Sequence, residues 1–313
     1  MESRNRSTVT EFILLGFTSD HSLQVLLFLI FLLVYVALLG TNILLILSVT
    51  FDQRLHNPMY FFLINLSIMN IGGPSAIIPK MLMGFLSGDK SILFEACMAQ
   101  IFLSSVLGGS EFILLLFMAY DRYVAICKPL MYSSIMSASA CTWMIIVTWT
   151  VSSITSSVNV LLLCNLSFCG PNIVDHFFCV FASLMRLSCS DTSVLDALTL
   201  LGSAFILLIP LLLIILSYYK IIASIKRIRS GRYKAFSSCT SHLIVVTMFY
   251  GMTLVMFMRP KVSVDNNRDK IMLAFYVIFF PMLNPVIYSL RNKDVHRAWR
   301  KLQRFHSTHF KVL

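Results

Sequence analysis

The chain has 313 residues, of which 58% are hydrophobic and only 12% charged, with a mean hydropathy of +0.82 and a formal net charge of +11. Soluble domains carry about 25% charged residues, so this composition excludes a water-soluble globule and makes lipid the main solvent. The positive charge does not imply nucleic-acid binding, because no soluble basic domain exists to carry it.

Residues 1–20 are polar and lack the basic stretch, short apolar run and small-residue cleavage site of a secretory signal. The first apolar block therefore predicts an uncleaved signal anchor. Asn5-Arg6-Ser7 is an N-glycosylation acceptor in this tail. A spanning helix needs roughly 20 mainly apolar residues. Seven blocks meet that length, at 23–49, 58–86, 95–127, 140–162, 196–227, 235–258 and 270–290. They predict an all-α membrane protein: a seven-transmembrane-helix bundle over 23–290, an outer tail at 1–22 and a cytoplasmic segment at 291–313. No duplicated half of the kind found in many transporters is present. With the N-terminus outside, the inner segments hold 16 of the 25 Lys and Arg residues, opposed only by Asp52, Asp121 and Asp294. That asymmetry sets the orientation.

The third block carries Glu111 at mid-membrane and Asp121-Arg122-Tyr123 at its inner end. Ionised residues inside a spanning segment are costly unless paired or hydrated, so each is a functional candidate. The bland reading of the lower pair is a stop-transfer charge cluster. Glu111 lies eleven positions before Arg122, about 16 Å along a helix. Eleven steps of 100° fall within ~20° of three turns, so both residues share one face. Beyond the fourth block, Cys164, Cys169, Cys179 and Cys189 lie on the outer side with Cys97, where disulfides are expected. Four paired cysteines allow three connectivities, and spacing does not choose among them. His176-Phe177-Phe178-Cys179 has a metal-ligand spacing, but its cysteine is a disulfide candidate, and no metal site is expected. Pro210 in the fifth block and Pro285 in the seventh each remove a backbone hydrogen bond and weaken their helices, or simply set static kinks. Past the seventh block, Val295, Ala298, Trp299, Leu302 and Phe305 fall at helical spacing opposite Arg297, Arg300, Lys301 and Arg304. This predicts a short amphipathic eighth helix held on the inner leaflet by membrane lipid.

Five stretches in order carry a family resemblance. They are Gly40-Thr41-Asn42, Leu55-His56-Asn57-Pro58-Met59-Tyr60, Met118-Ala119-Tyr120-Asp121-Arg122-Tyr123-Val124-Ala125-Ile126-Cys127, Lys234 through His242, and Pro281 through Asn292. Together they resemble the odorant (olfactory) receptors of the rhodopsin-like G-protein-coupled class, in the tetrapod-type (class II) branch. The resemblance implies that Asp121 restrains Arg122 at rest, and that Tyr218 and Tyr288 turn toward Arg122 on activation. Tyr123, Lys234, His242, Asn284 and Pro285 complete the implied coupling set. It implies disulfides Cys97-Cys179 and Cys169-Cys189, with Cys164 left over. It also implies a polar cluster of Asn70, Glu111 and Asn284. Most relatives carry an aspartate where this chain has Asn70, so either a weak sodium site near Glu111 or a protonated Glu111 is expected, and otherwise no cofactor.

By the same resemblance the ligand lies between helices three, five and six. The implied positions are Ser104, Ser105, Gly108, Gly109, Gly202, Ser203, Ile206, Tyr250, Thr253, Leu254 and Phe257. These are apolar or hydroxylic and suit a small volatile odorant held by shape and one or two hydrogen bonds. The expected partner is a heterotrimeric stimulatory G protein that raises cAMP, from a multi-pass position in the plasma membrane with the N-terminus extracellular. Ser104 stands where an amine receptor has its acid, no Lys lies within the seventh span, and no nucleophile–base pair marks an enzyme.

Overall fold

The computed structural model describes residues 9–169, 171–227, 232–257 and 266–290, with side chains omitted at 227, 232–238, 257, 266, 289 and 290. Six spans are single helices: α1 (His21–Phe51), α2 (Pro58–Ser87), α3 (Phe94–Cys127), α5 (Ala138–Cys164), α7 (Ser193–Arg227) and α8 (Arg232–Phe257). The seventh is built from α9 (Asn266–Ala274), a π turn over Phe275–Phe279 and α10 (Phe280–Leu290). Seven helices are long and apolar enough to cross a membrane. Short helices α4 (Tyr132–Ile135) and α6 (Phe181–Leu187) lie in the loops that follow α3 and α5. The predicted eighth helix at 291–313 and the Asn5 acceptor lie outside the described residues.

Helix ends fall where local chemistry dictates. The Asp20 carboxylate accepts from Ser22 N and Leu23 N at the start of α1, and Asn57 accepts from Tyr60 N with Pro58 in the first turn of α2. Gly88, at φ +71°, ends α2 in the left-handed conformation that a Cβ disfavours. Pro74, Pro79, Pro210 and Pro285 all lie inside helices. The five-residue π turn sits six residues before Pro285, the type of irregularity that bends a helix.

The tail is more than a tail. β1 (Glu11–Leu14) pairs antiparallel with β2 (Ser91–Leu93), which precedes α3, and parallel with β3 (Ile173–Val174) in the loop after α5. In the order β2-β1-β3 the N-terminal strand is central. Phe12 is fully buried there and meets Phe94 and Phe168 at ring distances of 6.0 and 5.5 Å. The fold is therefore helical with a small outer sheet.

Both disulfides form, Cys97-Cys179 and Cys169-Cys189, and Cys164 is free and exposed. The first ties the loop to the top of α3. There Cys179 N donates to Gln100 Oε1 at 2.8 Å, and Gln100 Nε2 donates to Ala76 O on α2 at 2.8 Å. A Lys270–Asp175 ion pair fastens the same loop to α9.

Candidate ligand cavity and inner coupling site

Beneath this lid lies a cavity of about 320 Å³ between α3, α5, α7, α8 and α9. Six of the predicted ligand positions line it: Ser105, Gly109, Gly202, Ser203, Ile206 and Thr253. Ser104, Gly108, Tyr250 and Leu254 do not. The Ser104 hydroxyl donates to Ile101 O at 3.2 Å, and Leu254 is exposed on the surface of α8. Tyr250 supports the wall from behind, its ring edge-on to Phe112 at 5.0 Å. The Phe257 side chain is outside the described residues.

The resemblance-based set missed one wall and much of the roof. Thr155, Ser156 and Asn159 of α5 face the space, with Thr199, Phe181, Leu207, Met256, Leu273 and Tyr276. Their spacing of i, i+1 and i+4 in an apolar helix was a signal available in the sequence, since polar groups on one face of a spanning helix point to a cavity or a packed neighbour. No Asp, Glu, Lys, Arg or His among the described residues is in the lining.

Below the cavity, the polar cluster differs from its expected composition. Asn284 Nδ2 donates to Asn70 Oδ1 at 3.1 Å, Asn70 Nδ2 to Asn42 Oδ1 at 3.2 Å, and Asn42 Nδ2 to Pro281 O at 3.1 Å. Glu111 is buried but makes no hydrogen bond among the described residues, to Asn70, Asn284 or any other group. The Asn70 amide instead pairs with Asn42 through Nδ2 and with Asn284 through Oδ1. Asn42, in the Gly40-Thr41-Asn42 stretch, is the member the sequence did not assign.

At the inner end, Arg122 donates to Asp121 Oδ2 through Nε at 3.1 Å and Nη2 at 2.9 Å, and Tyr132 donates to Asp121 Oδ1 at 2.7 Å. Asp121 is fully buried. Burial, and then the Asp121 hydrogen bond, push the Tyr132 phenol well above its ordinary range, so it stays a donor. The Tyr218 hydroxyl hydrogen-bonds His242 Nδ1 at 2.8 Å, while His242 Nε2 lies 3.0 Å from Leu115 O. A carbonyl only accepts, so Nε2 carries the proton and Nδ1 accepts from the Tyr218 hydroxyl. His242 thus joins α3, α7 and α8 in one arrangement. Ser241 Oγ donates to Ile287 O, linking α8 to α10. Lys220 Nζ sits 5.6 Å above the Tyr123 ring, and the Tyr288 hydroxyl is buried without a partner among the described residues. The Lys234 side chain lies outside them.

A family model for olfactory receptors matches residues 30–304, most of this bundle. The chain belongs to the olfactory receptor family. Human olfactory receptor 2F1 is 43% identical over 304 residues, covering 96% of each chain. Olfactory receptor 9G19 of Mus musculus is 46% identical over 301 residues, covering 96% of this chain and 99% of its own. The crystal structure of squid rhodopsin superposes with a TM-score of 0.72 at 18% identity, over 92% of this chain and 87% of that one. The fold is therefore rhodopsin-like. As an olfactory receptor the protein is a multi-pass membrane receptor for signalling, not an enzyme. Its Asp121–Arg122 pair and the Asn284-Pro285 step inside α10 stand in the stretches that carried the resemblance.

Proposed function

We propose that this olfactory receptor binds a small volatile odorant in the cavity under the disulfide-tied loop and activates a heterotrimeric stimulatory G protein at Arg122, raising cAMP. It does so from the plasma membrane with the N-terminus extracellular and membrane lipid around the bundle. The observation that carries this reading is the uncharged cavity of about 320 Å³ among α3, α5, α7 and α8, directly above the Tyr218–His242–Leu115 link. An apolar space with a few hydroxyl and amide groups suits a neutral volatile, and it touches α3, α7 and α8, which His242 joins farther inward.

A cAMP reporter challenged with an odorant panel tests it. Gly202 lines the cavity, and a Cβ there would stand 3.1 Å from Thr155 Cγ2, also in the lining, so Gly202→Leu must displace Thr155 and fill that end of the space. It is expected to weaken every agonist at least tenfold at unchanged surface expression. Unchanged potency would place the ligand elsewhere.

Glu111 bears on a separate proposal, a weak sodium site. Asn284 Oδ1 and Ser110 Oγ are buried without partners among the described residues, and Glu111 supplies one carboxylate. Two neutral oxygens and one charge make a poor cage for a monovalent cation. Asn70→Asp is expected to make odorant potency sodium-dependent, where the natural chain responds weakly to sodium titration. Equal sodium effects in both proteins would defeat this reading.

A further inference from the structure

The cavity wall can be read group by group for what it offers a ligand. Thr155 Oγ1 donates to Val151 O at 2.9 Å and Thr253 Oγ1 to Phe249 O at 2.7 Å, so those hydroxyl protons are committed to the backbone. Asn159 is different. Its Oδ1 accepts from Thr199 Oγ1 at 3.4 Å, which leaves the Nδ2 hydrogens as the uncommitted half of the amide. Nδ2 has no acceptor among the described residues, and the hydroxyls of Ser105 and Ser203 have no partner there either. Among the described residues the Asn159 N–H is thus the one uncommitted group in the lining that can only donate, beside the Ser105 hydroxyl of α3 and the Ser203 hydroxyl of α7, which can donate or accept. Phe112, Ile206, Leu207 and Met256 form the apolar side.

We infer that this receptor selects neutral molecules whose polar function is a hydrogen-bond acceptor, a ketone, aldehyde or ester oxygen, and that the Asn159 amide on α5 is the residue that selects it. The inference rests on the odorant reading of the cavity. Once a ligand displaces water from the cavity, a donor left unpaired is disfavoured more strongly than an acceptor left half-satisfied, so a carbonyl oxygen completes the wall and a hydrocarbon does not. A carboxylate or an ammonium would enter without a counter-charge in the lining, which is costly. The volume holds roughly ten heavy atoms at ~30 Å³ each, so the carbonyl end lies against Asn159 and the chain against the aromatic and aliphatic side.

The experiment is a cAMP dose-response panel of ketones, esters, alcohols, alkanes, amines and carboxylic acids of about ten heavy atoms. It uses the natural receptor, Asn159→Leu, Asn159→Gln and Gly202→Leu, each normalised to surface staining. Ketones and esters are expected to lead. Asn159→Leu should weaken them about tenfold, the scale of one hydrogen bond, and leave alkanes within about twofold. Asn159→Gln retains donors and the ketone preference, which separates selection from misfolding. Amines or acids as the strongest agonists, or an equal loss for all classes in Asn159→Leu, overturn the inference. So does the absence of any ketone or ester agonist at a surface-expressed receptor. If Gly202→Leu leaves potency untouched, the cavity reading itself has failed. If Gly202→Leu acts and Asn159→Leu does not discriminate, only the selection by Asn159 has.

Discussion

Replacing Arg122 with alanine is expected to bring the odorant-evoked cAMP signal down to that of mock-transfected cells, and replacing Asp121 with asparagine to raise the signal without odorant. The two opposite outcomes follow from one geometry. Asp121 is fully buried and both its oxygens are occupied, Oδ2 by two guanidinium nitrogens and Oδ1 by the Tyr132 hydroxyl. Removing one partner of a buried ion pair costs about 3–5 kcal/mol, because the other is left buried and uncompensated. Arg122 keeps a further contact and some exposure, so the loss to the resting arrangement is smaller. At 1.4 kcal/mol per tenfold, a rise in unliganded signal of about ten- to a hundredfold follows. Tyr132→Phe deletes a single hydrogen bond to the carboxylate and should give a smaller rise, about tenfold at most. Unliganded cAMP per receptor at the surface measures all three. An Asp121→Asn receptor as quiet as the natural one would mean that the pair does not restrain Arg122.

The helices were legible because their signal is local. Each block of apolar residues is long enough to span, and caps such as Asn57 with Pro58 fix where the helix begins, so observed ends fall within a few residues of the expected ones. The outer sheet was not legible. Its strands have four, three and two residues, and the partners of Glu11–Leu14 lie about 80 and 160 positions away along the chain. No periodicity in so short a stretch announces a pairing that loop closure alone brings about. The cavity was half legible. Positions on α3, α7 and α8 came from the resemblance, whereas Asn159 required noticing a polar stripe on α5. Leu254 fell outside because it is exposed on the surface of α8, whereas Thr253 one position before it faces the cavity. Glu111 and Arg122 do lie on one continuous helix, but helical spacing says nothing of which partners each takes. Asn70 found Asn42 and Asn284 instead, a choice that depends on how α1 and α10 pack.

The lid supplies the second large effect. His176 is buried, its ring tilted against Phe177 at 4.7 Å and edge-on to Phe178 at 5.0 Å, and its Nδ1 has no hydrogen-bond partner among the described residues. Burial first, and then the Lys270 charge, hold its imidazole down to about 4 from an ordinary 6.5, against an opposing pull from Asp175. A docked loop therefore carries a neutral His176, while an undocked loop takes up a proton below about pH 6.5. The undocked state binds more protons between pH 6.5 and 4, so docking is at full strength above pH 6.5 and weakens as pH falls toward 4. Between pH 7 and 5 the docking equilibrium should fall on the order of twentyfold, about 2 kcal/mol. Hydrogen exchange over residues 171–180, corrected for the intrinsic pH dependence of exchange, should report this loss of protection. His176→Phe keeps the aromatic packing without a titrating group and should remove most of it. Lys270→Met withdraws the cation that opposes protonation, while the Asp175 carboxylate that favours it remains. The change favours the imidazolium, so its transition should move to higher pH than in the natural receptor. Because burial is the larger cause, the shift should be partial and stop short of 6.5. A Lys270→Met receptor whose lid opens at lower pH than the natural one would show that the ion pair, rather than the neutral imidazole, governs how the loop is held.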